Sequence, residues 1–186
     1  LHPFHTVHVK RSHEQYPNAK LYGTQRHIEK FPELPWQPEL TESAELHALF
    51  SSELEFSIPA GVDFISANEN IHFSSVMVRH RASKTVHVDD TLMCINLPKV
   101  AGLLGKKEAV AFHPTLGKAL ELRAGAANEF RQWAKGLASQ WGDSNTLCAA
   151  HSATLRCSSQ EPLEKRILKA LASTERTLRS HENKHG

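Results

Sequence analysis

Between His72 and Asp90 the chain reads HFSSVMVRHRASKTVHVDD, and this stretch constrains the fold more than any other. Residues 72–80 alternate with a period of two. That places Phe73, Ser75, Met77 and Arg79 on one face and Ser74, Val76 and Val78 on the other. Residues 81–83 read as a turn and 84–88 as a return strand rich in Val, so a hairpin is predicted. Its second strand runs directly into two carboxylates, Asp89 and Asp90. His80 and His87 are expected on opposite sides of the neighbouring strands, in structural roles.

The rest of the chain supplies layers around that hairpin. Clusters of Val, Ile and Phe predict strands at 54–58 and 62–66, and apolar runs predict short buried strands at 19–23 and 146–150. Helices are predicted at 5–16, at 24–31 capped by Thr24, and at 43–50 with Ser43 as N-cap. Between them, Pro32, Pro35 and Pro38 demand an extended loop. A longer helix is predicted at 124–141, because Ala127, Phe130, Trp133, Ala134, Leu137 and Trp141 recur near the helical period; Gly142 and Asp143 end it. An amphipathic helix is expected at 161–180, with Leu163, Ile167, Leu168 and Leu171 on one side, and then a frayed tail at 181–186. Residues 96–107, with Pro98, Gly102 and Gly105, read as loop. This order of elements predicts α/β layers.

Composition narrows the class. A chain of 186 residues with 40% apolar and 23% charged content suits one globular domain. A net charge of +2 creates no field that would gather nucleic acid or a membrane, and only Lys165, Arg166, Lys169, Arg176 and Arg179 form a weak basic face. No apolar run approaches the roughly 18 residues of a membrane span. Cys94, Cys148 and Cys157 are odd in number and lack CxxC spacing, which argues against a disulfide framework and for a reducing, cytoplasmic compartment. No signal peptide is visible, and a chain opening on Leu1 reads as a fragment whose start is missing.

Against this ordinary background stand thirteen histidines. His2, His5 and His8 open the chain, His72, His80 and His87 lie in and around the predicted hairpin, His113 sits in a loop, and His151 follows the strand at 146–150. Neutral imidazole is the commonest metal ligand, and carboxylates are its usual partners at Zn or Fe. A single histidine is more often a surface or core residue than a ligand. His8 can line a helix face with His5, and His72 can cap the strand or pair with Glu69. The junction positions carry the argument: His2 and His5 precede a helix, His72 begins a strand, Asp90 ends one and His151 follows one. Ligands at strand ends converge on one edge of a sheet.

HPFHTVHV followed by YPNAKLYG, then GVDFISANENIHFSS, RASKTVHVDDTLM and LCAAHS, resembles the metallo-β-lactamase fold, close to its metallo-hydrolase-like members. The resemblance covers roughly residues 1–155, with 156–180 as an appended helix and 181–186 as a tail. It implies an αββα sandwich lacking its first strands, which would precede Leu1. It implies metal ligands His2, His5, His72, Asp90 and His151, with Asp90 bridging one or two ions, zinc or else iron, and acting in catalysis. The implied activity is hydrolysis of a small molecule by a metal-activated water, with no nucleic-acid or membrane partner. The chain departs from the family at its first motif, where His-Pro-Phe-His-Thr-Val-His replaces the usual His-x-His-x-Asp-His, and at Asp89, where glycine is usual. A non-catalytic scaffold with a degenerate metal site is the alternative reading.

Overall fold

The predicted hairpin forms, but over fewer residues. In a computed structural model describing residues 1–96 and 108–186, β1 (Leu54–Ser57) pairs antiparallel with β2 (Met77–His80), and β2 with β3 (Thr85–Val88). Val78 stands opposite His87 and His80 opposite Thr85. Cross-strand partners share a face, as do residues two apart on one strand. His80 and His87 therefore lie on the same side of the sheet, not on opposite sides.

β3 also pairs, in parallel, with β6 (Thr146–Ala149), which pairs antiparallel with β7 (Thr154–Arg156). The sheet is thus mixed, with order β1-β2-β3-β6-β7. Val86, Val88, Leu147 and Leu155 are its buried centre. The crossover between β3 and β6 contains a second, two-stranded sheet, β4 (Leu92–Asn96) against β5 (Glu108–Phe112). Residue pattern alone does not predict these two strands. The loop expected at 96–107 lies outside the described residues, except Asn96, which ends β4.

Six helices complete the described residues: α1 (Val9–Gln15), α2 (Gln25–Lys30), α3 (Ala44–Leu49), α4 (Leu116–Ala119), α5 (Ala126–Trp141) and α6 (Leu163–His185). Thr24 and Ser43 cap α2 and α3 as expected. α5 buries Ala127, Phe130, Ala134, Leu137 and Trp141, and its Trp133 indole donates to Ser57 Oγ of β1. Phe130 is fully buried, its ring centroid 5.8 Å from Phe73 and 5.0 Å from Phe112. It thereby joins the approach to β2, the end of β5 and α5 in one core. α6 lies along α5 and β5 and adds Leu163, Ile167, Leu171 and Leu178 to that core. No helix among the described residues is long and apolar enough to cross a membrane.

Several expectations give way to local causes. α1 starts at Val9, not at residue 5, because the preceding amides are used in turns: His5 N–H donates to the His2 carbonyl and Thr6 N–H to that of Phe4. The strand expected at 19–23 is a single bridge between Leu21 and Trp36, and Ala19 and Lys20 are exposed. Its partner loop holds Pro32, Pro35 and Pro38, which cannot donate to a longer ladder. At 62–66 only Val62 bridges, to Leu120. Residues 72–76 stay outside the sheet because their amides have other partners: Ser75 N–H donates to Thr91 Oγ1 and Val76 N–H to the Leu1 carbonyl. Leu168 is exposed, apart from the buried stripe of α6. The expected tail is helical to His185, held by Arg131, which reaches Glu175 and Glu182 at 3.2 and 2.9 Å, and by His181, which donates to the Glu121 carbonyl.

Phe130→Ala is expected to lower stability by about 3–5 kcal/mol, as a buried aromatic deleted from a close-packed core does. Urea unfolding followed by circular dichroism measures it, and a loss below about 1 kcal/mol would contradict the burial of Phe130 against Phe73 and Phe112.

Candidate metal centre

Parallel pairing brings the two ends of the site together. Beyond the last residue of β6, Ala150 N–H still donates to the Val88 carbonyl at 2.9 Å, so β3 and β6 stop at the same level. One strand then delivers Asp89 and Asp90, the other His151. The C-terminal edge of parallel strands is where α/β proteins usually bind ligands. Thr91 fixes the Asp90 turn to the segment that carries His72: its hydroxyl donates to the Phe73 carbonyl and accepts from Ser75 N–H.

The first residues of the chain are docked onto the same place. The Leu1 carbonyl accepts from Val76 N–H, which lays His2 beside residues 73–76. Pro3 and the turn at Phe4 bring His5 back over His2, ring centroids 4.3 Å apart. His27 clamps this turn. Its Nδ1 serves the Thr24 cap, and its Nε2 donates to the His5 carbonyl at 3.2 Å. His27 is not among the residues that the sequence marks as candidates. It stands where a capping box carries Glu or Gln, and an imidazole there has a second nitrogen with which to reach another segment.

Asp90 Oδ2 is the hub. It lies 3.3 Å from His2 Nε2, 3.2 Å from His5 Nε2 and 3.7 Å from His72 Nδ1. The four donor atoms all lie within 4.8 Å of one another. Donors about 2.1 Å from a tetrahedral zinc ion stand about 3.4 Å apart, a spacing that the three contacts to Asp90 Oδ2 match. His72 Nε2 donates to the Glu69 carbonyl at 2.9 Å, which leaves Nδ1 its lone pair and turns it inward. Thr115 Oγ1 holds the His72 backbone by donating to its carbonyl at 2.5 Å. His2 is wholly buried; its Nδ1 accepts from Phe4 N–H, and its Nε2 has no hydrogen-bond partner. A buried polar atom without a partner is costly, and a cation held between it and Asp90 would satisfy both. The chemistry of three imidazoles and one carboxylate suits a divalent transition ion.

Protonation follows from the same contacts. Burial drives the His2 pKa down to about 3, so this ring is neutral, and while Nδ1 accepts from Phe4 N–H its proton sits on Nε2. The Asp89 and Asp90 carboxylates raise His5 to about 9. Burial alone would raise the Asp89 pKa, but His5 and His87 beside it help hold it at about 2. Asp90 is likewise kept below the usual carboxylate range, the His5 and His2 rings outweighing its burial. His113 is lowered by burial; its Nδ1 lies 2.7 Å from Thr115 Oγ1.

Of the residues singled out from the sequence, His2, His5, His72 and Asp90 form one group. His151 stands at its rim. Its Nε2 is 3.3 Å from His5 Nε2 and 3.9 Å from Asp90 Oδ1, its side chain is 65% exposed, and its backbone is in the left-handed region with φ of 62°. His72 does not begin a strand, since β2 starts at Met77. Asp89 turns to the outer nitrogen of His5, Nδ1, at 3.6 Å, and to His87 Nε2 at 3.8 Å. His8 is the N-cap of α1 and lies in the cleft wall outside the four-residue group. The structure therefore defines an α/β protein with a buried three-histidine, one-aspartate cluster at the edge of a mixed sheet. No family model, no curated protein and no solved structure matches the chain.

Metal binding is expected to depend on pH with a definite sign. His5 carries a proton up to about pH 9, and an ion must displace it. Zinc affinity should therefore rise about tenfold per pH unit between pH 6 and 9 and level off above. Competition titrations with a chromophoric chelator across that range measure the slope, and a flat profile would show that His5 is not displaced.

Proposed function

We propose that this chain is a metal-dependent hydrolase-like protein built on a partial metallo-β-lactamase-like sandwich, with one or two ions, zinc or else iron, held by His2, His5, His72 and Asp90 and completed by His151. The single observation that carries the reading is the convergence of three imidazole nitrogens on Asp90 Oδ2 at 3.2 to 3.7 Å. When bound, an ion in such a set activates water and polarises a substrate carbonyl. The chain's own residues supply the rest. His72 is oriented by the Glu69 carbonyl, and Asp89 stands behind His5 as a carboxylate partner to a ligand imidazole. To hold an ion through Nε2, His2 would carry its proton on Nδ1 and would give up the bond it accepts there from Phe4 N–H. His151, exposed with Nε2 3.9 Å from Asp90 Oδ1, would complete the donor set from the rim.

A second reading, a scaffold with a degenerate metal site, is favoured by the first motif. No carboxylate lies between His2 and His8, so that segment cannot provide the aspartate that positions water in the family resembled.

Elemental analysis of the purified protein should find at least one equivalent of zinc or iron. Asp90→Ala and His2→Ala should lose it, because each removes a donor from the buried group. His151→Ala should keep at least one equivalent with hydrolytic turnover down tenfold or more. A folded wild type with no metal would sink the hydrolase reading, and metal without any hydrolytic turnover would favour the scaffold.

A further inference from the structure

α2 contributes no donor to the candidate centre, yet three of its residues are turned toward the segment that does. The Arg26 guanidinium lies 4.5 Å from the centre of the Phe4 ring, His27 donates to the His5 carbonyl, and Lys30 Nζ donates to Thr6 Oγ1 at 2.7 Å. Arg26 also reaches the segment that carries His72, where its Nη2 meets Glu69 Oε1 at 2.5 Å.

These contacts close a ring around His72. Glu69 offers its carbonyl to His72 Nε2, at 2.9 Å, and its carboxylate to Arg26. Arg26 lies on Phe4, and Phe4 stacks on His72 with centroids 5.1 Å apart and planes 16° from parallel. The imidazole is thus gripped at its outer nitrogen and on its face, and both grips lead back to one guanidinium. A flat guanidinium suits that double task, since its face lies on an aromatic ring while its edge meets a carboxylate. The placement is costly, because Arg26 Nε is buried without a hydrogen-bond partner. Glu69 is 71% exposed, and a pair so open to water contributes little to stability. What the arrangement changes is the freedom of His72.

We infer that Arg26 is a positioning residue of the centre: it fixes the plane and the tautomer of the His72 ring through Phe4 and Glu69, and so sets how tightly an ion is held without touching the ion. The inference rests on the metal-binding reading above and adds a residue outside the donor set. With its Nε2 proton held by the Glu69 carbonyl, His72 keeps the Nδ1 lone pair on the side of the cluster. A released ring would rotate about its side-chain bonds and divide its proton between the two nitrogens, so the donor would be present only part of the time.

The test uses the full chain, with cobalt(II) as the metal probe and the histidine ring nitrogens as a probe that needs no metal. Arg26→Ala should weaken cobalt binding about tenfold or more, the usual cost of removing a group that orients a ligand, and should alter the visible cobalt bands. Arg26→Lys keeps the charge without the flat stack and should fall between Arg26→Ala and the wild type. Glu69→Ala should weaken binding too, and the double variant by less than the product of the two single effects. Arg123→Ala, which breaks exposed pairs to Glu121 and Glu129, should leave affinity within about twofold. In the chelated protein, nitrogen–proton NMR in alkaline buffer should show one His72 tautomer, protonated at Nε2, and an average of two in Arg26→Ala; His72→Gln assigns the signal. Circular dichroism establishes folding, and if Arg26→Ala does not fold, Arg26→Lys and Glu69→Ala carry the same readings. Unchanged cobalt affinity or an unchanged His72 tautomer in the folded variant would overturn the inference and leave the metal reading standing. A wild type that binds no cobalt would defeat the metal reading, and loss of the single tautomer would then still assign Arg26 to the His72 ring.

Discussion

Where β3 and β6 run side by side in the same direction, both strands end at one level, and every donor of the candidate centre is referred to that level. Parallel neighbours cannot be joined by a tight turn and need a long crossover. Here the crossover carries the β4–β5 hairpin, α4 and α5, so half of the described core is assembled between the two strands whose ends build the site. Val86, Val88 and Leu147 bury that pairing completely, and the apolar sheet centre gives way at its edge to Asp89 and Asp90.

A buried carboxylate must be paired, and Asp90 shows how the fold meets that demand. Its partners come from three distant parts of the chain: residues 2 and 5, residue 72 and residue 151. Three of them are held by a contact with the backbone, His5 by His27, His72 by Glu69 and Thr115, His2 by Phe4. The fold thus gathers the cluster with one imidazole neutral, one protonated and the carboxylate ionised. That mixture of states under burial is typical of functional sites, where environments push neighbouring pKa values apart.

Several parts of this were legible in residue order. The alternation over residues 72–80 and the Val-rich return at 84–88 predict the hairpin that forms over 77–80 and 85–88, and the stripe on α5 predicts a buried helix because Phe130 and Trp141 recur near the helical period. β4 and β5 were not legible. LMCIN and EAVAF are short apolar runs that fit a strand or a buried helix equally, and pairing alone decides. Nor was the helical end of α6, where polar residues 181–185 are ordered by Arg131 and by the Glu121 carbonyl, both remote in sequence.

For the site, the sequence by itself determined the donors and their junction positions: His2, His5, His72 and His151 beside predicted helices or strands, and two acids at the close of a strand. Residue type sets chemistry, and strand periodicity sets where a strand ends. Only the tertiary structure decided which donors meet. It brought four of them to one point, left His151 at the rim, turned Asp89 outward to His5 and recruited His27 as a clamp. Those outcomes depend on the register of a parallel pair and on backbone carbonyls contributed by distant turns, and no local pattern encodes either.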